Sequence, residues 1–128
     1  MQTSQDLHEM FDSLELSTAT DILLPVNDSE TVLGGGTHWA QLHIKLDNKT
    51  ATLYNSAYGS REVVTSAQDV LDRVKLLLNI KGMALTVAKD FPQQDNGFDC
   101  GLYTMMAADA IINKKAFYHP KTLRQEVS

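Results

Sequence analysis

Residues 38–56 constrain this chain more than any other segment, because two alternating runs meet there at a turn whose register the residue pattern settles. In the run 38–46, Leu42, Ile44 and Leu46 fall on one face and Gln41, His43 and Lys45 on the other. That period is the mark of a half-buried strand, apolar inside and polar outside. After Asp47-Asn48 a second run, 49–56, places Ala51 and Leu53 on one face and Thr50, Thr52 and Tyr54 on the other. A two-residue turn at Asp47-Asn48, both of which tolerate positive φ, pairs 46 with 49, 44 with 51, 42 with 53 and 40 with 55. This register brings the apolar sets together, whereas a three-residue loop sets apolar against polar. It also puts His38 and Asn55 on one face as diagonal neighbours, about 7–8 Å apart at the backbone and within side-chain reach.

The rest of the chain supplies partners for that hairpin. Residues 4–16 read as a weak helix, with Leu7, Met10, Phe11 and Leu14 at helical spacing. The segment DILLPV, 21–26, reads as a short buried strand that Pro25 confines to an edge or an end. Residues 66–80 predict the clearest helix: Ser66 caps it and Asp69 occupies its third position. Its apolar stripe is Ala67, Val70, Leu71, Val74, Leu77 and Leu78, and Gly82 ends it. A short apolar strand follows at 83–88, then a loop at 91–98 containing Pro92 and Gly97. Asp99 is placed to cap a second helix over about 100–114, with Tyr103, Met106, Ala107, Ala110 and Ile111 inward and its methionines as core filler. Gly34-Gly35-Gly36 lacks the Lys and Ser/Thr of a phosphate loop and reads as a plain approach to Thr37 and His38. The tail 115–128 is polar apart from Phe117, Tyr118 and Leu123 and is expected to pack loosely. The expected architecture is α+β: a small, mainly antiparallel sheet with flanking helices, in one domain spanning 1–128.

Charge and cysteine usage narrow the function classes. The net charge of −5, with no block of like charges, disfavours a nucleic acid or an anionic membrane as partner. No apolar run approaches the ~18 residues of a membrane span, and residues 1–10 lack a basic-then-apolar signal pattern. Cys100 is the only cysteine, which excludes an intrachain disulfide and a cysteine-rich zinc site. His8, His43 and His119 are scattered and read as surface residues, so neither metal nor cofactor is expected. A solitary thiol stays free to react in a reducing compartment, cytoplasm or nucleus.

Cys100 falls at the start of the second helix, where unpaired N–H groups and the helix dipole stabilise a thiolate. A free cysteine can equally be an inert, buried one. A nucleophilic cysteine needs a base, a group that orients the base, and an oxyanion donor. His38 is the candidate base. Asn55, on the same sheet face, can accept from the imidazole Nδ1–H and turn Nε2 toward the thiol. An Asn orienter fixes the tautomer without adding charge, as in papain-like proteases. Asp47 lies roughly 30 Å along the strand from His38 and cannot serve. Gln94, on the loop leading to Cys100, is the oxyanion donor candidate together with the Cys100 backbone N–H, and Gln93 competes with it.

His38-Trp39, Asn55-Ser56, Gln94 and Asp99-Cys100-Gly101, in that order, resemble the signature of Ulp1/SENP-type cysteine proteases, the CE-clan peptidases of ubiquitin-like proteins. The family pattern is His-Trp, Tyr-Asp-Ser, Gln, Asp-Cys-Gly. The spacings here, 17 residues from His38 to Asn55 and 6 from Gln94 to Cys100, are those expected of the family. DILLPVN resembles the strand that leads into its His-Trp, and the likeness covers roughly residues 20–112. The resemblance implies a papain-like fold with His38 as general base, Cys100 as nucleophile, Gln94 as oxyanion donor and Asn55 as orienter. It implies Trp39, Gln93 and Gly101 as substrate-binding residues. Trp39 would wall a channel that admits a side-chain-free Gly-Gly tail, by excluding any residue with a Cβ. The implied reaction is cleavage after the Gly-Gly of ubiquitin or a SUMO- or NEDD8-type modifier through a thioester on Cys100. Two departures stand out: Asn55 replaces the family's acid, and only 37 residues precede His38, where relatives carry more. The domain therefore reads as minimal or partial. The alternatives are an effector acetyltransferase of the same fold using acetyl-coenzyme A, and a weakened domain that binds a modifier without cutting it.

Overall fold

A computed structural model of the chain describes residues 20–28, 38–96 and 99–120. The segment 4–16, the glycine run 34–36 and Leu123 lie outside the described residues. Strands β1 (Asp21–Asn27), β2 (Trp39–Lys45), β3 (Thr50–Tyr54) and β4 (Leu85–Val87) form one sheet in the order β1-β2-β3-β4. The first two pairings are antiparallel and β3–β4 is parallel. The β3–β4 connection carries helix α1 (Arg61–Leu77), and α2 (Cys100–Ile112) follows the sheet. This is the expected α+β arrangement, with β1 and its Pro25 on the sheet edge.

The hairpin register is the one that the alternation demands: Ile44 faces Ala51 and Leu42 faces Leu53. The turn differs in detail. The left-handed residue is Lys49 (φ 54°), not Asp47 or Asn48. The paired ends are Lys45 and Thr50, which leaves a four-residue loop. Such loops are mostly built around a type I turn. Asp47 Oδ1 accepts the Asn48 N–H at 2.9 Å, and Asn48 Oδ1 accepts the Thr50 hydroxyl at 2.8 Å. Local side-chain acceptors thus take over the work assigned to backbone permissiveness.

Ala40, Leu42, Ile44, Ala51 and Leu53 bury one sheet face against Val63, Ala67, Leu71 and Val74 of α1. Each fully buried Val, Leu or Ile side chain there contributes about 1.5–3 kcal/mol. Helix α1 begins earlier than Ser66, with Ser60 at its N-cap, because Val63 extends the apolar stripe by one turn. It ends at a left-handed Asn79 (φ 54°), ahead of Gly82.

The second sheet face corrects the sequence reading. Gln41 and His43, expected to be outward, are only 3% and 8% exposed. Helix α2 covers them. It is apolar on nearly all sides, so alternation in β2 could not reveal that both faces are buried. His43 Nε2 pairs with Asp21 Oδ1 at 2.8 Å, and this hydrogen bond holds the Asp21 carboxyl below its usual range. Phe91, Tyr103, Met106 and Ala107 form a second cluster that receives Tyr54 and Phe117. The tail is therefore anchored as far as residue 120, not loose: Phe117 packs on the rings of Tyr54 and Phe91. Lys115 and the Tyr118 hydroxyl together hold the Asp109 carboxyl at about 2. Of the α2 methionines, Met106 is core, but Met105 is 58% exposed.

Candidate active site

His38 stands just ahead of β2, where the chain leaves β1. The strand pairing carries Asp28 opposite His38: the Asp28 N–H donates to the His38 carbonyl at 3.1 Å, and Asp28 Oδ1 accepts the His38 N–H at 3.2 Å. Asp28 thus fixes the backbone from which the imidazole projects. The sequence reading missed it. The signal was available, since extending the β1–β2 register one step beyond Asn27–Trp39 pairs residues 28 and 38.

Asn55 follows the last residue of β3 and is completely buried. Its Oδ1 accepts the Ala57 N–H at 3.1 Å and meets His38 Nε2 at 2.5 Å. A backbone N–H can only donate, so the Ala57 contact fixes which end of the amide is oxygen. The His38 contact is then possible only with the proton on Nε2. The ring therefore meets Asn55 the other way round from the expected arrangement: Nε2–H donates to Oδ1, and Nδ1 is left as the unprotonated ring nitrogen. The reason is reach, because the diagonal between two strand ends is spanned by the ring atom farthest from the backbone. The same geometry strands Asn55 Nδ2, a buried polar side-chain atom with no hydrogen-bond partner. A buried, unsatisfied donor costs about 1–3 kcal/mol.

The loop before Cys100 is fastened to this strand end. Gln94 N–H donates to the Ser56 carbonyl at 2.8 Å, and the Ser56 hydroxyl donates to Gln94 Oε1 at 2.6 Å. Gln93 Nε2 donates to the carbonyls of Asn55 (2.9 Å) and Phe91 (3.0 Å), while its Oε1 accepts the Tyr58 N–H at 2.8 Å. Both amide hydrogens of Gln93 are thus spent within the chain. Gln93 thus ties the backbone of Asn55 to the loop ahead of α2. Gln94 uses one amide hydrogen on the Asn96 carbonyl at 2.5 Å; a primary amide carries two.

Cys100 is the first residue of α2 and 6% exposed. The first-turn N–H groups of a helix have no acceptor within it. Asp99 occupies the N-cap without capping by its own side chain. Asn96 fastens that residue to the loop, accepting the Asp99 N–H and donating to its carboxylate, both at 2.9 Å.

A groove of about 460 Å³ is lined by Pro25, Trp39, Gly101, Leu102, Thr104 and Met105. Trp39 is 40% exposed, so it walls this groove and does not fill the core. A Cβ on Gly101 would meet nothing within 4 Å, and its φ is not left-handed, so neither packing nor backbone geometry demands glycine there. Gly101→Ala is expected to raise stability by about 0.5 kcal/mol in a urea titration. The same Cβ would stand in the groove and lower turnover, an opposition that a purely structural glycine would not give.

The Ulp1 protease family, C-terminal catalytic domain, matches residues 4–126 of the chain. Mouse sentrin-specific protease 8 is 31% identical over 99 residues, which are 77% of this chain and 44% of that protein. NEDD8-specific protease 1 of Arabidopsis thaliana is 29% identical over 107 residues, 82% of this chain and 46% of that protein. Among solved structures, the C-terminal Ulp1 protease domain in complex with Smt3, the yeast ortholog of SUMO, superposes with a TM-score of 0.64. The two are 23% identical, over 91% of this chain and 52% of that one. The chain spans about half the length of the curated relatives it matches.

Proposed function

The chain belongs to the Ulp1 protease family, and from that premise we propose that it is a cysteine peptidase releasing a ubiquitin-like modifier of SUMO or NEDD8 type after its C-terminal Gly-Gly. The observation that carries the reading is the His38–Asn55 hydrogen bond, whose tautomer leaves Nδ1 free to act as a base just ahead of β2, the strand against which the helix beginning with Cys100 packs.

In the proposed reaction His38 Nδ1 takes the thiol proton, and the Cys100 sulfur attacks the carbonyl of the modifier's last glycine. The developing oxyanion is met by the second amide hydrogen of Gln94 and the Cys100 N–H. The imidazolium gives its proton to the departing amine, and a thioester remains. Water then attacks the thioester, losing its proton to His38, which returns it to the sulfur as the modifier leaves with a free carboxylate. Asn55 holds the ring through both proton transfers, because Nε2–H points at Oδ1 in the neutral and the charged imidazole alike. Trp39, Gly101 and Leu102 form the groove that takes the tail, and the absence of glycine side chains suits a narrow passage. Among the described residues no helix is long and apolar enough to cross a membrane. A nucleophilic thiol stays free to react in a reducing compartment, cytoplasm or nucleus, and the reading puts the protein there.

The test is a panel of C-terminally extended SUMO, NEDD8 and ubiquitin, with their lysine-linked conjugates. Cleavage after Gly-Gly of at least one, lost when that Gly-Gly is replaced by Ala-Ala, is the expected result. Transfer of an acetyl group from acetyl-coenzyme A without any cleavage would replace this reading with the acetyltransferase one. Binding without cleavage would leave only a modifier-binding domain.

A further inference from the structure

Gln41 takes no part in the chemistry above, yet it is among the most buried polar residues described, at 3% exposure. It lies on β2, three residues after His38, on the face covered by α2. Its amide is satisfied in one orientation: the oxygen accepts the Leu24 N–H of β1 at 3.0 Å, and the nitrogen donates to the Thr104 carbonyl of α2 at 3.3 Å. Thr104, itself 6% exposed, turns its hydroxyl back one helical turn onto the Cys100 carbonyl at 2.9 Å. A continuous line of hydrogen bonds thus runs from the strand that carries the base to the first residue of the nucleophile's helix.

The Gln41–Thr104 bond joins β2 directly to α2 through a side chain. Apolar contact between two packed elements resists separation but tolerates sliding. A helix moving along its axis by a fraction of a turn would keep its buried area and shift Cys100 relative to His38. An angle-dependent bond to a backbone carbonyl of the second turn opposes that motion. We propose that Gln41 is a positioning residue for this reaction: it sets the axial position of α2 against β2, and with it the place of the Cys100 sulfur relative to the His38 ring. The inference rests on the peptidase reading only for its consequence in turnover; its structural content is the sulfur–imidazole placement.

The experiment therefore has one arm that needs no substrate. Alkylation of Cys100 by iodoacetamide across pH 5–9 reports how the thiolate is supported by the imidazole. Gln41→Leu keeps the volume and removes both bonds. Its alkylation profile should move toward that of a thiol with no base beside it, and kcat on a modifier substrate should fall about fivefold, with KM within about twofold of the parent. Gln41→Glu supplies the conservative rescue and stands in if Gln41→Leu does not fold. Its protonated acid can still donate to the Thr104 carbonyl, so near-parental behaviour at low pH should be lost as the carboxyl ionises. A folded Gln41→Leu protein with the parental alkylation profile overturns the proposal, as does a Gln41→Glu protein whose activity follows the parental pH profile. If the parent cuts no modifier at all, the peptidase reading fails, and the alkylation arm still decides the role of Gln41.

Discussion

Replacing Cys100 by alanine is expected to abolish cleavage while leaving a folded protein, and replacing His38 is expected to slow turnover by about 10²- to 10⁴-fold. The two losses have different origins. At position 100 only a small side chain goes, from the first turn of a helix that accepts alanine readily, so thermal unfolding should change little while thioester chemistry becomes impossible. At position 38 the nucleophile remains, but nothing takes or returns its proton. His38 is also one of two donors to Asn55 Oδ1. His38→Ala therefore leaves a buried amide with less satisfaction and should cost about 1–3 kcal/mol as well. His38→Gln, whose amide can reach toward Asn55, separates the two effects: stability should return and turnover should not. Equal activity in the parent and in either His38 variant would remove the imidazole from the mechanism.

Asn55→Asp is expected to move activity the other way, raising kcat by about tenfold, which corresponds to roughly 1.4 kcal/mol. Two terms favour the acid. The unpartnered Nδ2 disappears, and with it the penalty of a buried, unsatisfied donor. The hydrogen bond to His38 becomes charge-assisted and about twice as strong, at the step where the ring carries its proton. Desolvation of a carboxylate at a fully buried position opposes both. The Ala57 N–H and the His38 ring are already aimed at that oxygen, so the charge enters a site with donors in place. Asn55→Ala removes orientation altogether and should fall well below the parent. A folded Asn55→Asp protein no faster than the parent would mean that orientation alone, without charge, suffices here.

The hairpin register and the His38–Asn55 contact could be read from the sequence because strand periodicity is local. The pattern of Leu42, Ile44, Ala51 and Leu53 settled the hairpin register, and the register alone put His38 within reach of Asn55. What escaped were relations that depend on a third element. Gln41 and His43 looked solvent-facing until α2 was laid over them. The bonds of the Gln93 amide to Asn55, Phe91 and Tyr58 join a loop to a strand end and a second loop, which sequence spacing does not show. The nitrogen that His38 offers as base could not be inferred from register, since it depends on the Ala57 N–H that fixes the Asn55 amide. Asp28 was within reach of the reasoning, one pairing step past Asn27, and was overlooked because its contact is with the His38 backbone.

The most direct test is to react the protein with a SUMO, NEDD8 or ubiquitin whose terminal glycine carries an electrophile, and to map the adduct by peptide mass spectrometry. A one-to-one adduct on Cys100, formed rapidly by the parent, slowly by His38→Gln and faster by Asn55→Asp, is the predicted result. No adduct with any of the three modifiers, or one that forms at the same rate without His38, would contradict an assembled Cys100–His38–Asn55 site.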